Sequence, residues 1–391
     1  MDGSYQILAA RYVRRQTRQL TGQLDGVRKA DDVEFVHRAR VVSRRLRAAL
    51  EIFRDCFKRK QVKRWRKRVR QLTQGLGPAR DKDVQITFLR GVLAGLEDPG
   101  HRAGISRLVL RLEQSRRALQ PEVIEAVDRL EASGVTEEML AAAKRMLSEL
   151  KQREASVRSR SAARWAEDHI LTCLNEFMEY EDCLANPQDV QQHHAMRIAA
   201  KGLRYTMEIC QPCYEGGLEE FVQVVKNVQS LLGDIHDCDV WVEDLPRFVE
   251  EERERTIAYY GHARPFGRLK IGLDYLRQER ASHRQQAFGE LIGLWQELSQ
   301  EGLWERMIGT VRSPLDPSTG SGPPNGTPAL ETDGKPKSPP CRRDDEAHPG
   351  EGNGHALPAA EQPAGRAKPG GGSGHEQRAL LGAGRPGEIG S

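Results

Sequence analysis

No stretch of this chain approaches the roughly 18 consecutive apolar residues of a membrane-spanning helix. Its opening residues, MDGSYQILAARYVRRQ, lack the apolar run and cleavage site of a signal peptide, so a soluble, cytoplasmic protein is expected. Aromatic residues are scarce at 6%, and strand-like alternation is not evident, which leaves little from which to build a sheet. The seven cysteines are odd in number and scattered. Only Cys210 and Cys213 form a C-x-x-C pair, with a proline between them and no second pair to complete a zinc site. Reduced core or surface thiols are expected rather than a disulfide framework. No Walker-type phosphate loop, nucleophile elbow or H-E-x-x-H helix occurs, which removes the common signatures of nucleotide, acyl-transfer and zinc-protease chemistry.

Glycine and proline are scarce until late in the chain. Residues 313–391 hold 16 Gly and 13 Pro, and the preceding 312 residues hold 21 and 7. A helical core ending near Arg312 is expected, rich in Arg, Glu, Leu and Ala. The stretch 313–391 cannot bury enough apolar surface to order itself and reads as a disordered tail.

The formal net charge of +4 conceals an asymmetry. Residues 1–90 carry 24 Lys+Arg against 9 Asp+Glu, so the remainder is net acidic. That concentration points to a polyanionic partner.

Self-similarity organises the chain. His37-Arg-Ala-Arg40-Val-Val-Ser-Arg44-Arg45-Leu46-Arg47 returns 157 positions later as His194-Ala-Met-Arg197-Ile-Ala-Ala-Lys201-Gly202-Leu203-Arg204. Leu76-Gly77-Pro-Ala-Arg80-Asp81-Lys-Asp83-Val84 returns 156 positions later as Leu232-Gly233-Asp-Ile-His236-Asp237-Cys-Asp239-Val240. Two motifs in one order at nearly one offset indicate a tandem duplication, with halves of about 1–157 and 158–312. Helical periodicity runs through both. Breaks are expected at Gly75 to Pro78, Asp98 to Gly104, Ser133 to Thr136, Asn186 to Asp189 and Gly216 to Gly217, and Glu137 to Trp165 reads as a long helix joining the halves.

At about 100° per residue, His37, Arg40, Arg44 and Arg47 fall within about 80° of one another, opposite Ala39, Val42, Leu46 and Leu50, with Arg45 on the flank. His194, Arg197, Lys201 and Arg204 divide from Met196, Ala199, Leu203 and Met207 in the same way. Each stripe is about 15 Å long. A row of guanidinium forks suits a linear chain of phosphates, since each fork binds phosphate oxygens bidentately. The bland reading, a solvated helix face, does not explain why two copies keep the spacing with no acid inside it. Trp65, Val69, Leu72 and Leu76 mark the apolar face of a second basic helix, whose other positions hold Lys63, Arg64, Arg66, Lys67, Arg68 and Arg70.

The pairs Asp81/Asp83 and Asp237/Asp239 follow glycine turns and are read as opening helices, capping free N–H groups and positioning the arginines. A Mg²⁺ site is the alternative. One repeat histidine per half, with no partner cluster, favours an anion contact over metal ligation.

These four motifs together resemble the CHAD domain, the conserved histidine α-helical domain, over roughly residues 5–300. The resemblance implies an all-α fold, a tandem pair of four-helix bundles related by a pseudo-two-fold axis, around a basic central groove or pore that binds inorganic polyphosphate without catalysis or cofactor. It also implies association with polyphosphate granules and with polyphosphate-metabolising proteins. Carried over, the lining is His37, Arg40, Arg44, Arg45 and Arg47 in one half and His194, Arg197, Lys201 and Arg204 in the other. Gly202 stands where the first repeat has Arg45, which weakens the second half. Only about 35 residues precede His37, so no fused tunnel-type catalytic domain is expected. Nucleic-acid binding is the competing reading, although the basic region has little aromatic interleaving. A Mg²⁺-dependent phosphohydrolase is a third.

Overall fold

The computed structural model describes residues 3–152, 159–214 and 216–313. Among them there is no strand. Helices α1 (Ser4–Lys29), α2 (Val33–Ile52), α3 (Arg59–Gly95), α4 (Pro99–Ala118), α5 (Gln120–Ala132) and α6 (Val135–Gln152) are followed by α7 (Arg160–Met178), α8 (Val190–Cys210), α9 (Glu219–Tyr260), α10 (Phe266–Gln300) and α11 (Leu303–Arg312). The all-helical class expected from the sequence is the one observed.

Local chemistry sets several ends. Asp32 and Asp189, 157 positions apart, sit in front of α2 and α8, the helices that carry the repeated histidines. Asp32 accepts from the Glu34 N–H and Asp189 from the Gln192 N–H, satisfying donors that the first turn leaves unpaired. Asp98 and Ser159 do the same for α4 and α7. Gly261 closes α9 at φ 76°, where a side chain is strained.

Two expectations are overturned. α3 runs without interruption through Gly75–Pro78 and carries Pro78 inside it. Pro78 removes one backbone N–H, yet Leu72 and Leu76 before it and Ala79, Ile86 and Leu89 after it are all buried, and that packing carries the helix across. The long helix expected from Glu137 to Trp165 is also interrupted, because Ser159 is extended and caps the start of α7; the part of that expectation on 153–158 lies outside the described residues. The stretch from 314 onward, read as a tail, lies outside the described residues.

Buried side chains gather in three clusters. One joins α2, the first part of α3, α5 and α6 to much of α1. A second joins α7, α8, the first part of α9, the end of α10 and α11 to the start of α1. The third is shared between the repeats: Ile86 and Leu89 of α3 and Ile105 and Leu108 of α4 meet Trp241 and Leu245 of α9 and Leu273 and Leu276 of α10. α3, α9 and α10 are long because each passes from its own cluster into this shared one. There α4 and α10 cross closely. A Cβ on Gly104 would overlap the Leu269 carbonyl oxygen, and one on Gly272 the His101 carbonyl oxygen. His101 also stacks on Tyr275 at 4.1 Å between ring centroids.

Candidate functional site

The apolar sides of the two histidine helices fix where their stripes face. Val36, Ala39, Leu46, Ala49 and Leu50 of α2, and Met196, Ala200, Leu203 and Met207 of α8, are buried almost completely. α2 packs beside α3, α8 beside α9, and α2 also touches α8. The site is therefore a four-helix neighbourhood drawn from both repeats.

None of the nine side chains singled out in the sequence is exposed. His37, Arg40, Arg44, Arg45, Arg47, His194, Arg197 and Arg204 are half-buried, and Lys201 is buried, at 9% exposure. A merely solvated helix face does not look like this. By contrast Lys63, Arg64 and Lys67 on α3 are exposed, and Arg64 and Arg66 are held by Glu138 and Glu51.

In the first repeat Arg40 Nη1 donates to the Thr73 carbonyl at 3.2 Å, and its Nη2 lies 3.8 Å from Asp81 Oδ1. Gly77 makes room for it on α3, since a Cβ there would come 2.7 Å from Arg40 Nη1. His37 is pushed down in pKa by burial and by the neighbouring Arg80. In the second repeat Arg197 Nη2 lies 3.3 Å from His194 Nδ1, and the His194 ring is 4.7 Å from that of His236. Asp237 is pushed up by burial, against the pull of Arg197 and Lys201. Arg80 and His236 occupy the same place in the repeated motif and sit against the two repeat histidines. They lie 156 positions apart, at the shared offset of the repeat, but on α3 and α9 and so outside the helical period of the stripes.

The aspartate pairs do not cap helices, which corrects the sequence reading: all four lie within α3 and α9, far from either start. The absence of a break at Gly77 and Gly233 is the reason. Residues i and i+2 of a helix point about 200° apart, so the two carboxylates of a pair diverge. Asp81 faces Arg40 and Asp237 faces Arg197 and Lys201. Asp83 instead holds Arg116 of α4 at 2.7 Å, and Asp239 holds Arg284 of α10. One acid of each pair orders the stripe and the other ties down the next helix. Among the described residues no group of three or more His, Cys, Asp or Glu is placed to hold a metal ion.

Arg45 departs from the row. Its Nη2 reaches across to α8 and lies 3.1 Å from Glu208 Oε2, while Glu208 Oε1 lies 3.7 Å from Arg204 Nε. His193, beside His194 in sequence, is a core residue with Nε2 3.0 Å from the Cys183 carbonyl oxygen. Cys56, Cys173, Cys183, Cys210, Cys213 and Cys238 are buried free thiols. No described helix is long and apolar enough to cross a membrane.

A family model, the CHAD domain, matches residues 11–245. No curated protein matches the chain. Among solved structures, the crystal structure of the CHAD domain from the plant Ricinus communis is 20% identical, with a TM-score of 0.49, covering 80% of this chain and 92% of that one. PptA from Streptomyces chartreusis is 16% identical, with a TM-score of 0.44, covering 74% of this chain and 98% of that one.

Proposed function

This chain belongs to the CHAD-domain family, and we propose that it binds inorganic polyphosphate, without transforming it, in the basic neighbourhood of α2, α3, α8 and α9. One observation carries the reading. Two helix faces, His37 to Arg47 and His194 to Arg204, contain no acid within the motif, and every one of their candidate cations is sheltered from water rather than solvated. Asp81, Asp237 and Glu208 offset part of the positive charge gathered there, and a bound anion would offset more of it. A linear phosphate chain matches two rows of guanidinium groups better than a folded acidic surface does, and it asks for no base-reading side chains. Within each repeat the two aspartates diverge, which argues against either pair holding a metal between its own two carboxylates.

A cytoplasmic location, association with polyphosphate granules and proximity to polyphosphate-metabolising proteins belong to the same proposal. The test is a titration with polyphosphate, single-stranded DNA and duplex DNA at matched salt, with a phosphate-release assay in Mg²⁺. Preferential, salt-sensitive binding of polyphosphate with no release is expected. Equal or tighter binding of either DNA overturns the reading in favour of a nucleic-acid module, and Mg²⁺-dependent release overturns the non-catalytic part.

A further inference from the structure

Within the basic neighbourhood one carboxylate bridges the repeats. Glu208 of α8 holds Arg45 of α2 at 3.1 Å and faces Arg204 of its own helix at 3.7 Å. One of those cations belongs to the first stripe's flank and the other to the second stripe, so Glu208 stands where a phosphate would stand to engage both. The Nε atoms of Arg45 and of Arg204 are buried and have no hydrogen-bond acceptor among the described residues. Among the described residues the Arg45 Nε has no acceptor, and the Arg204 Nε faces Glu208 from too far for a hydrogen bond. Beside the bridge lies an open cleft of about 420 Å³ whose lining includes Tyr12, Arg15, Gln16, Arg45, Glu208 and Gln211, which gives the flexible glutamate room to swing aside.

We propose that Glu208 is a built-in competitor for the polyanion: it occupies Arg45 and Arg204 in the free protein, is displaced when a phosphate takes them, and so limits affinity. This rests on the polyphosphate reading above. Glu208 acts through the two arginines and is a positioning residue, not a contact to ligand. A carboxylate that merely oriented them for binding would have the opposite signature on removal, because the arginines would lose their aim.

The experiment compares polyphosphate binding by the full chain, by Glu208→Gln and by Glu254→Gln, which removes an exposed acid elsewhere on α9 and so matches the change in net charge. Glu208→Gln is expected to bind about fivefold more tightly, the scale of one released ion pair. Its dependence of log affinity on log salt should steepen by about one counterion. Glu254→Gln is expected to change neither. Glu208→Asp keeps the charge but is too short to span both arginines, and should bind with intermediate affinity, which guards against a folding defect in the glutamine variant. If the unaltered protein binds polyphosphate but Glu208→Gln binds equally or more weakly, or if Glu254→Gln tightens it as much, the competitor role is overturned and the binding reading survives. If the unaltered protein does not bind polyphosphate, both fall.

Discussion

Gly77 lies directly beneath the Arg40 guanidinium, so close that a Cβ would come 2.7 Å from Arg40 Nη1. Its repeat counterpart Gly233 has nothing within 4 Å of the same position. Alanine at 77 should therefore push Arg40 off the Thr73 carbonyl and weaken polyphosphate binding by roughly three- to tenfold, the scale of one charge-assisted hydrogen bond. Alanine at 233 should leave binding intact and stabilise the helix by about 0.5–1 kcal/mol. Isothermal titration of the two variants, with their urea midpoints, checks both halves of the statement.

Replacing Arg40, Arg44 and Arg47 together by Gln should weaken binding by more than about tenfold, and so should the change at Arg197, Lys201 and Arg204. Relief of like-charge repulsion along each stripe is offset by the loss of Arg40's bond to Thr73 and of the pairings with Asp81 and Asp237, so the melting temperature should change little while affinity falls. Exposed Arg11, Arg18 and Lys67 serve as the control for net charge. An equal loss of binding in the control would make the interaction a diffuse surface effect.

Acid should move stability and binding in opposite directions. His37, His169 and His193 all have their pKa lowered by burial, so folding favours their neutral form. Their contribution to stability is present above the unfolded value of about 6.5 and is lost as pH falls through the lower folded values. A bound phosphate chain favours protonated His37, which makes binding tighter as pH falls through the same window. Melting temperatures from pH 8 to 5, with and without polyphosphate, should show acid destabilisation in the free protein and a widening gap between the two curves. A gap that narrows toward pH 5 contradicts the placement of His37 against ligand.

How much of this was legible beforehand follows from what each signal depends on. α2 and α8 could be read because a 3.6-residue period and a repeat coincide on them, and most of their cores fell where the apolar stripe put them, although Val42 and Ala199 are half-buried and Val36 and Ala200 are buried instead. α3 could not: Gly75-Leu-Gly77-Pro78 reads as a turn, and only the burial of Leu72, Leu76, Ile86 and Leu89 on both sides overrides that preference. With the turn gone, the aspartates ceased to be caps. The half-burial of the stripes is equally invisible in a pattern, because a solvated face and a lined groove have the same period. Glu208 left no trace at all, since its partner Arg45 lies 163 positions away and nothing in either motif points to it.

The crossing of α4 and α10 should be intolerant of side chains. Gly104→Ala and Gly272→Ala each drive a methyl into the facing backbone, which cannot yield as a flexible side chain can. A loss of about 1–3 kcal/mol each is expected from overpacking, read as a drop in urea midpoint with the slope unchanged.

Removing residues 314–391 should leave helical circular dichroism and polyphosphate affinity unchanged, because α11 ends at Arg312 with Val311 already buried. Loss of either would move the domain boundary.

The shared third cluster also sets a schedule for the newborn chain. Ile86, Leu89, Ile105 and Leu108 leave the ribosome well before their partners Trp241, Leu245, Leu273 and Leu276 exist. At about 5–20 residues per second, translation of the intervening stretch takes roughly 7–30 s. Through that interval the first repeat carries apolar surface that its partners are not yet there to cover. Synthesis of this protein therefore includes a waiting period in which a half-built molecule is sticky, and a slow codon run between the repeats would lengthen it.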